Sequence, residues 1–307
     1  MSSSKQVVIY HKADFDGIFC REIAKKFLPQ AVLIGWDYGD PVPIDGVMPD
    51  DVDLYMLDIS VEGLMGHPRL VWIDHHKSAM EKYLISIPGY RIDGVAACRL
   101  AWQYFTLPMH SGPGTGYDHL KKHNYFDRQV SEPYAVRLAG EYDIWDKRDP
   151  DAELFQHGLR SQPLTEQTWA MMLDPKVEPS MVGTGMEITN SELICRSLLN
   201  QGRCLQFSRT EENASIIKAA GFTYAWEGLT FLCCNHARYN SFLFTAGLKP
   251  EHDACFGFAW RDGQWTVSLY HAPGKEHHDL SLIASKYGGG GHRGACGFRT
   301  KTLPFLV

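Results

Sequence analysis

The sequence predicts an α/β protein: a parallel-sheet domain with helices on both faces, then a helical linker, then a smaller α+β C-terminal domain. Three observations predict it. The first half of the 307 residues alternates short β-type runs with helical patterns, the signature of parallel strands joined by helical crossovers. A stretch rich in proline, glycine and serine, Pro175 to Gly185, is followed by an extended helical pattern from Ser191 to Ala220. Beyond it, β-type runs return around a short helical segment. The expected division is 1–185, a linker at 186–220, and 221–307.

In order, strands are expected at Val7 to Tyr10, Ala31 to Ile34, Leu54 to Leu57 and Leu70 to Ile73. Ile18 to Phe27 places Ile18, Phe19, Ile23, Ala24 and Phe27 on roughly one helical face. Gly94 to Phe105 reads as a second helix rich in small residues. Pro133 to Trp145 reads as a third, with its proline where a missing N–H is harmless. Shorter helices are expected around Ala152 to Leu159 and Leu164 to Leu173. In the C-terminal part, Phe222 to Cys234 and Ala254 to His271 are the β-type runs, and Trp102, Trp260 and Trp265 are read as core.

Composition narrows the function classes. With 44% hydrophobic and 21% charged residues the chain can bury two ordinary cores. No run of about 18 apolar residues is present, and Met1 to Lys5 leads into the first strand without a signal-like apolar core, so a cytoplasmic protein without a membrane span is expected. The eight cysteines form no C-x-x-C pair and sit in apolar stretches, which suggests reduced, buried thiols. A formal charge of −6 disfavours a long nucleic-acid groove, since counterion release needs many cations on one face. A small anionic substrate held through metal ions is compatible with it.

Three of the four expected strands end in acidic and imidazole groups: His11, Asp14 and Asp16 with Gly17 after the first, Asp58 after the third, and Asp74-His75-His76 after the fourth. In an open parallel sheet ligands bind at the carboxyl ends of strands, so the three clusters converge. Alone, Asp-x-Asp-Gly reads first as a capped turn and a lone Asp58 as a helix cap or surface residue. Together they bring so many like charges into one place that cations are needed among them. Carboxylate and imidazole donors without thiolate suit a divalent metal, Mn²⁺ first, with Mg²⁺, Co²⁺ or Fe²⁺ as alternatives.

A second cluster lies near the C-terminus. Asp279 is placed to cap a short helix, and Gly288 to Gly291 let backbone N–H groups approach a phosphate, with His292 and Arg293 directly behind. A merely flexible loop is the plainer reading.

These motifs resemble the DHH phosphoesterase superfamily, named for the triplet seen here as Asp74-His75-His76. The His11 to Gly17 segment is similar to the family's first motif, although only Lys12 and Ala13 separate His11 from Asp14, a shorter spacing than in many members. Asp58 is similar to the second motif and Gly140 to Trp145 (GEYDIW) to the fourth. The Asp279 to Gly297 segment resembles the glycine-rich motif of the DHH-associated substrate domain.

The resemblance implies that His11 and Asp14 hold one metal, that Asp16, His75 and Asp143 hold the other, and that Asp58 bridges them. Asp74 and His76 are then catalytic groups that orient ligands or contact phosphate. Gly289, Gly290, Gly291, His292 and Arg293 bind substrate across a cleft, and Arg238 and Tyr239 of Asn235 to Asn240 add a phosphate contact and a base contact. The implied activity is two-metal-dependent hydrolysis of phosphate esters in short oligonucleotides, linear dinucleotides or small nucleotides. Alternatives are a 3′-phosphomonoesterase acting on adenosine 3′,5′-bisphosphate and a non-catalytic nucleotide-binding sensor. An exposed edge of the parallel sheet would permit a homodimer.

Overall fold

The computed structural model describes residues 5–42, 48–83, 86–107, 120–146, 148–178, 188–237 and 239–305. It divides into two compact units, Met1–Arg203 and Cys204–Val307. No helix among the described residues is long and apolar enough to cross a membrane.

The first unit is built on β1 (Gln6–His11), α1 (Phe15–Phe27), β2 (Val32–Trp36), β3 (Asp53–Leu57) and β4 (Leu70–Ile73). The strands are all parallel, in the order β2-β1-β3-β4. Alternation along β1 assigns Val8 to one face of the sheet and Val7 and Ile9 to the other. On the Val8 face pack α1, α3 (Ala97–Thr106) and α5 (Tyr134–Asp143) with α6 (Asp151–Leu159) and α7 (Glu166–Met172). Small residues at Ala96, Ala97, Ala101, Ala135 and Ala139 are fully buried there and let these helices approach closely. On the other face Trp36, Met56, Ile59 and Trp72 are covered by α2 (Lys77–Lys82) and a 3₁₀ turn at Glu62–Leu64, a thinner layer. The short α4 (Lys122–Phe126) lies between α3 and α5 in sequence. A two-stranded ribbon, β5 (Val177–Glu178) with β6 (Ile188–Thr189), precedes α8 (Asn190–Ala220), one continuous helix of 31 residues. The division between the units falls inside this helix, after Arg203.

The second unit is a six-stranded mixed sheet, β11-β12-β10-β9-β8-β7. Its strands are β7 (Gly221–Trp226), β8 (Leu229–Asn235), β9 (Ala254–Arg261), β10 (Gln264–His271), β11 (Gly290–His292) and β12 (Ala295–Thr300), with α9 (Leu280–Lys286) packed on β10 to β12. Each of the two β-type runs proves to be a hairpin. Glu227-Gly228 and Asp262-Gly263 turn with both φ values positive, the two-residue geometry that matches strand twist.

Two core expectations are corrected. Trp260 is 54% exposed, because it sits at the hairpin end and pairs edge-on with Trp265 across the strands. Cys204 is exposed, whereas the other seven cysteines are buried; all eight are free.

Candidate metal centre

Strand register assembles the site. Tyr10 pairs with Leu57 and Leu57 with Ile73, so the next residues, His11, Asp58 and Asp74, leave the sheet side by side. The order β2-β1-β3-β4 reverses winding direction between β1 and β3, and the crevice at such a reversal is where open α/β sheets bind ligands. His11 and Asp58 stand at its two lips.

Among the described residues three sets of side chains offer donor atoms within 4.8 Å of one another: His11, Asp14 and Asp58; Asp16, His75 and Asp143; and Asp58, His75 and His76. Asp58 belongs to two of them. Its Oδ2 lies 3.4 Å from His11 Nδ1 and its Oδ1 3.4 Å from His75 Nε2. Asp58 is buried and takes φ 62°, the left-handed region that aspartate tolerates better than most residues. Asp14 lies 2.9 Å from His11, so two intervening residues suffice to bring them together. It also caps α1, accepting from the Gly17 amide at 3.0 Å.

Asp16 is held from the opposite side of the sequence. Its two oxygens accept the amides of Ala97 and Cys98 at 2.8 and 2.7 Å, so this carboxylate caps α3, which has no side-chain cap of its own. Asp143 ends α5 and reaches His75 Nε2 at 3.3 Å. In the same motif Gly140 makes room for Arg99, and buried Glu141 is held by Arg128 and Arg137 at 3.2 Å each.

Asp74 occupies a different position. It is fully buried, and its oxygens accept the amides of His75 and His76, the ring of His76 at 2.7 Å and the indole N–H of Trp72 at 3.0 Å. With its acceptors occupied by these donors, Asp74 is placed to orient the His76 ring. As an acceptor it fixes the proton of His76 on Nδ1 and leaves Nε2 as that ring's remaining nitrogen.

Sequence reading missed Asp37. The second strand runs to Trp36, not Ile34, so Asp37 is its terminal polar group; it meets His11 Nε2 at 3.2 Å and orients the ring. All four strands therefore end in groups that build or brace the site.

Electrostatics shows what the cluster lacks. The Asp14 and Asp58 carboxylates raise His11 to about 11 against its burial. Burial opposes charge on His75, but Asp58, Asp16 and Asp143 outweigh it and raise this group to about 10. Burial, then the charge of Asp58, lifts Asp16 to about 7; burial, then Asp16, lifts Asp143 to about 7. Asp14, despite its burial, is held low by His11 and the Gly17 amide. Asp58 Oδ1 and His11 Nδ1 are buried with no hydrogen bond of proper geometry. Orphaned polar atoms pointing into one carboxylate and imidazole cluster fit divalent cations. The buried thiols nearby, Cys20 and Cys98, are pushed well above their usual range and stay protonated, so the donor set is oxygen and nitrogen.

Gly17 is the tightest contact behind the site: a Cβ there would overlap the carbonyl oxygen of His11. Gly17→Ala must therefore push α1 off the end of β1 and carry Asp14 and Asp16 with it. We expect a loss of roughly 1–3 kcal/mol in urea unfolding, the usual range for overpacking, together with a smaller rise in Tm on adding Mn²⁺. An unchanged Mn²⁺ response would show that the turn is not what sets the ligand geometry.

In the second unit Asp279 caps α9 through the Ser281 amide at 3.1 Å. The glycine run expected to approach a phosphate also serves the fold. The amides of Gly288 and Gly289 close α9, and Gly290 to His292 pair with β12 as β11. Gly289 is required because the backbone of Gly297 and Phe298 passes against it; Gly290 faces open space. His292 and Arg293 are exposed, and Arg293 already donates to the carbonyl of His277 at 3.2 Å. Arg238 lies outside the described residues. Tyr239, expected at a base, instead fills the space above Gly257 and donates to the carbonyl of Thr266 at 3.3 Å.

No protein-family model matches the chain, and no curated protein matches it. Solved structures do. The pGpG-specific phosphodiesterase PggH from Vibrio cholerae is 14% identical over 96% of this chain and 93% of its own, with a TM-score of 0.49. An exopolyphosphatase-related protein from Bacteroides fragilis is 11% identical over 99% of this chain and 88% of its own, TM-score 0.43. RecJ in complex with Mn²⁺ from Thermus thermophilus is 12% identical over 97% of this chain and 50% of its own, TM-score 0.44. With its motif residues gathered at the carboxyl ends of one parallel sheet, the chain resembles the DHH superfamily.

Proposed function

We propose that the chain is a phosphoesterase that uses two divalent metal ions, Mn²⁺ first among them, to hydrolyse phosphate esters in short oligonucleotides, linear dinucleotides or small nucleotides. One observation carries the reading: buried Asp58 stands between His11 and Asp14 on one side and His75, with Asp16 and Asp143, on the other. In this reading His11, Asp14 and Asp58 hold one ion; Asp16, His75, Asp143 and Asp58 hold the second. Bound there, the ions supply Lewis-acid polarisation of the phosphoryl oxygens and a water acidic enough to ionise near neutral pH.

The protein's own groups do the rest. Asp37 and Asp74 set the orientation of His11 and His76. The Nδ1 proton of His76 is held toward Asp74, so Nε2 is the nitrogen available to a phosphoryl oxygen. In the second unit Gly290, Gly291, His292 and Arg293 remain the candidates for a terminal phosphate, with Gly289 serving the strand pairing behind them.

The test is a substrate panel with Mn²⁺: the dinucleotide pApA, a short RNA ladder, adenosine 3′,5′-bisphosphate and pyrophosphate, with His75→Ala as control. Mononucleotide release by the wild type alone is the expected result. Release of phosphate alone would move the chain to monoester chemistry. Metal binding without turnover of any ester would leave a sensor and overturn the proposal.

A further inference from the structure

At the lip of the metal centre stands Tyr38, a residue to which the metal chemistry gives no part. Strand β2 ends at Trp36, and Asp37 to Asp40 form a turn closed on itself. The Asp40 amide donates to the carbonyl of Asp37 at 3.0 Å and the Asp37 amide to Asp40 Oδ2 at 3.0 Å, while Gly39, at φ 98°, completes the reversal. The turn is tied to the end of β1 twice, by Asp37 at His11 Nε2 (3.2 Å) and by Lys12 Nζ at Asp40 (2.7 Å). It is a braced mount.

What it mounts is a phenol ring. Tyr38 packs edge-on against Trp36, with centroids 5.5 Å apart and planes at 69°, and tilts against the His11 ring at 6.2 Å and 57°. Its hydroxyl lies beside Ser60, two residues beyond Asp58. The strand order β2-β1-β3 sets these contacts in line: the ring leaves the end of β2, passes the end of β1 and finishes at the segment after β3. It therefore spans the mouth of the crevice in which His11 and Asp58 stand. Tyr38 is nevertheless 55% exposed. A tyrosine serving only to fill space beside His11 would be covered, whereas this one is held at its edges and turned to solvent.

The charges around the ring define what can lie on it. The turn carries two carboxylates, Asp37 and Asp40, against one cation, and that cation, Lys12, is committed to Asp40. A second phosphate placed here would meet net negative charge on the turn. A neutral planar group would meet a flat π-surface instead, and stacking on it requires no charge. A bare sugar offers no π-face to match.

Resting on the phosphoesterase reading, we propose that Tyr38 is a specificity-determining residue for this site, its solvent-facing side receiving the base of the nucleotide whose phosphate lies at the metal centre. It makes the chain selective for esters that carry a base over sugar phosphates and inorganic phosphate chains.

Calorimetry with saturating Mn²⁺ tests it, using phosphonate analogues of AMP and of ribose 5-phosphate in which a methylene replaces the ester oxygen, so that no esterase can cleave them. The wild type should bind the AMP analogue more tightly than the ribose analogue. Tyr38→Ala should weaken the AMP analogue roughly tenfold, within the range of one base–aromatic stack, leave the ribose analogue unaffected, and be rescued by Tyr38→Phe. The KM for pApA should rise in Tyr38→Ala by the same factor. A wild type without preference between the analogues, or a preference that survives in Tyr38→Ala, would overturn the assignment. So would equal weakening of both analogues, the result expected if the ring only braces His11. Failure of the wild type to cleave pApA would instead sink the phosphoesterase reading, while the calorimetry, which needs no turnover, still decides Tyr38.

Discussion

Asp58→Asn is expected to fold normally and to lose both metals together, with turnover reduced well beyond the roughly 10–100-fold that removing an outer-shell partner costs. Asparagine is the informative replacement because it also tolerates the left-handed backbone at φ 62°, where alanine would add strain. What it removes is the charge placed 3.4 Å from both His11 and His75. The readouts are the rise in Tm on adding Mn²⁺, which should vanish, and metal stoichiometry, which should fall from two to zero. Asp37→Asn makes the contrast, since it withdraws only the brace on His11 and should stay within the outer-shell range. If Asp58→Asn still binds one ion with wild-type affinity, the carboxylate is not shared.

The second large effect is the dependence of stability on pH, which should change sign with metal. In the metal-free protein five site groups hold their protons more tightly folded than unfolded. Asp16 and Asp143 are raised to about 7, so the stability they contribute is lost as pH rises between the ordinary carboxyl range and 7. His11 and His75 are raised to about 11 and about 10, so theirs is complete below the ordinary imidazole value and lost as pH climbs through those values. His76, raised chiefly by its hydrogen bond to Asp74, adds to this, and all five act in the same direction. Asp14 and Asp74 are held low, and what they contribute is lost only in acid, below this window.

Chelated protein should therefore lose Tm steadily from pH 5 to 9. Divalent ions replace those protons, so the increment in Tm from saturating Mn²⁺ should grow over the same range, with protons released into a weakly buffered solution on binding. A metal increment independent of pH would show that the clustered imidazoles and carboxylates are not the ligands.

How much of this was legible in the sequence depended on whether the determining contacts were local. The four parallel strands followed from their apolar runs, and with them the convergence of His11, Asp58 and Asp74, because parallel register leaves no freedom once strand ends are placed. Asp37 escaped because Gly35 looked like the end of its strand. The strand continues through that glycine, which pairs with Tyr10 of β1, and a Cβ there would lie 2.9 Å from the Tyr10 hydroxyl. Trp260 was misread because an apolar run does not reveal a hairpin end, although Asp262-Gly263 was the local signal for one. The glycine run near the C-terminus was recognisable as special, but its use in strand pairing depends on β12 and its neighbours.

Asp16 has a consequence for how this chain can change over generations. Because the same carboxylate holds the Ala97 and Cys98 amides, it serves the fold as well as the proposed metal site. A descendant that abandoned catalysis would still be selected to keep it, and its presence alone would say little about activity. Asp143 has no such second duty among the described contacts. Drift should show first at Asp143, which makes that position the better marker of whether a relative keeps the proposed metal site.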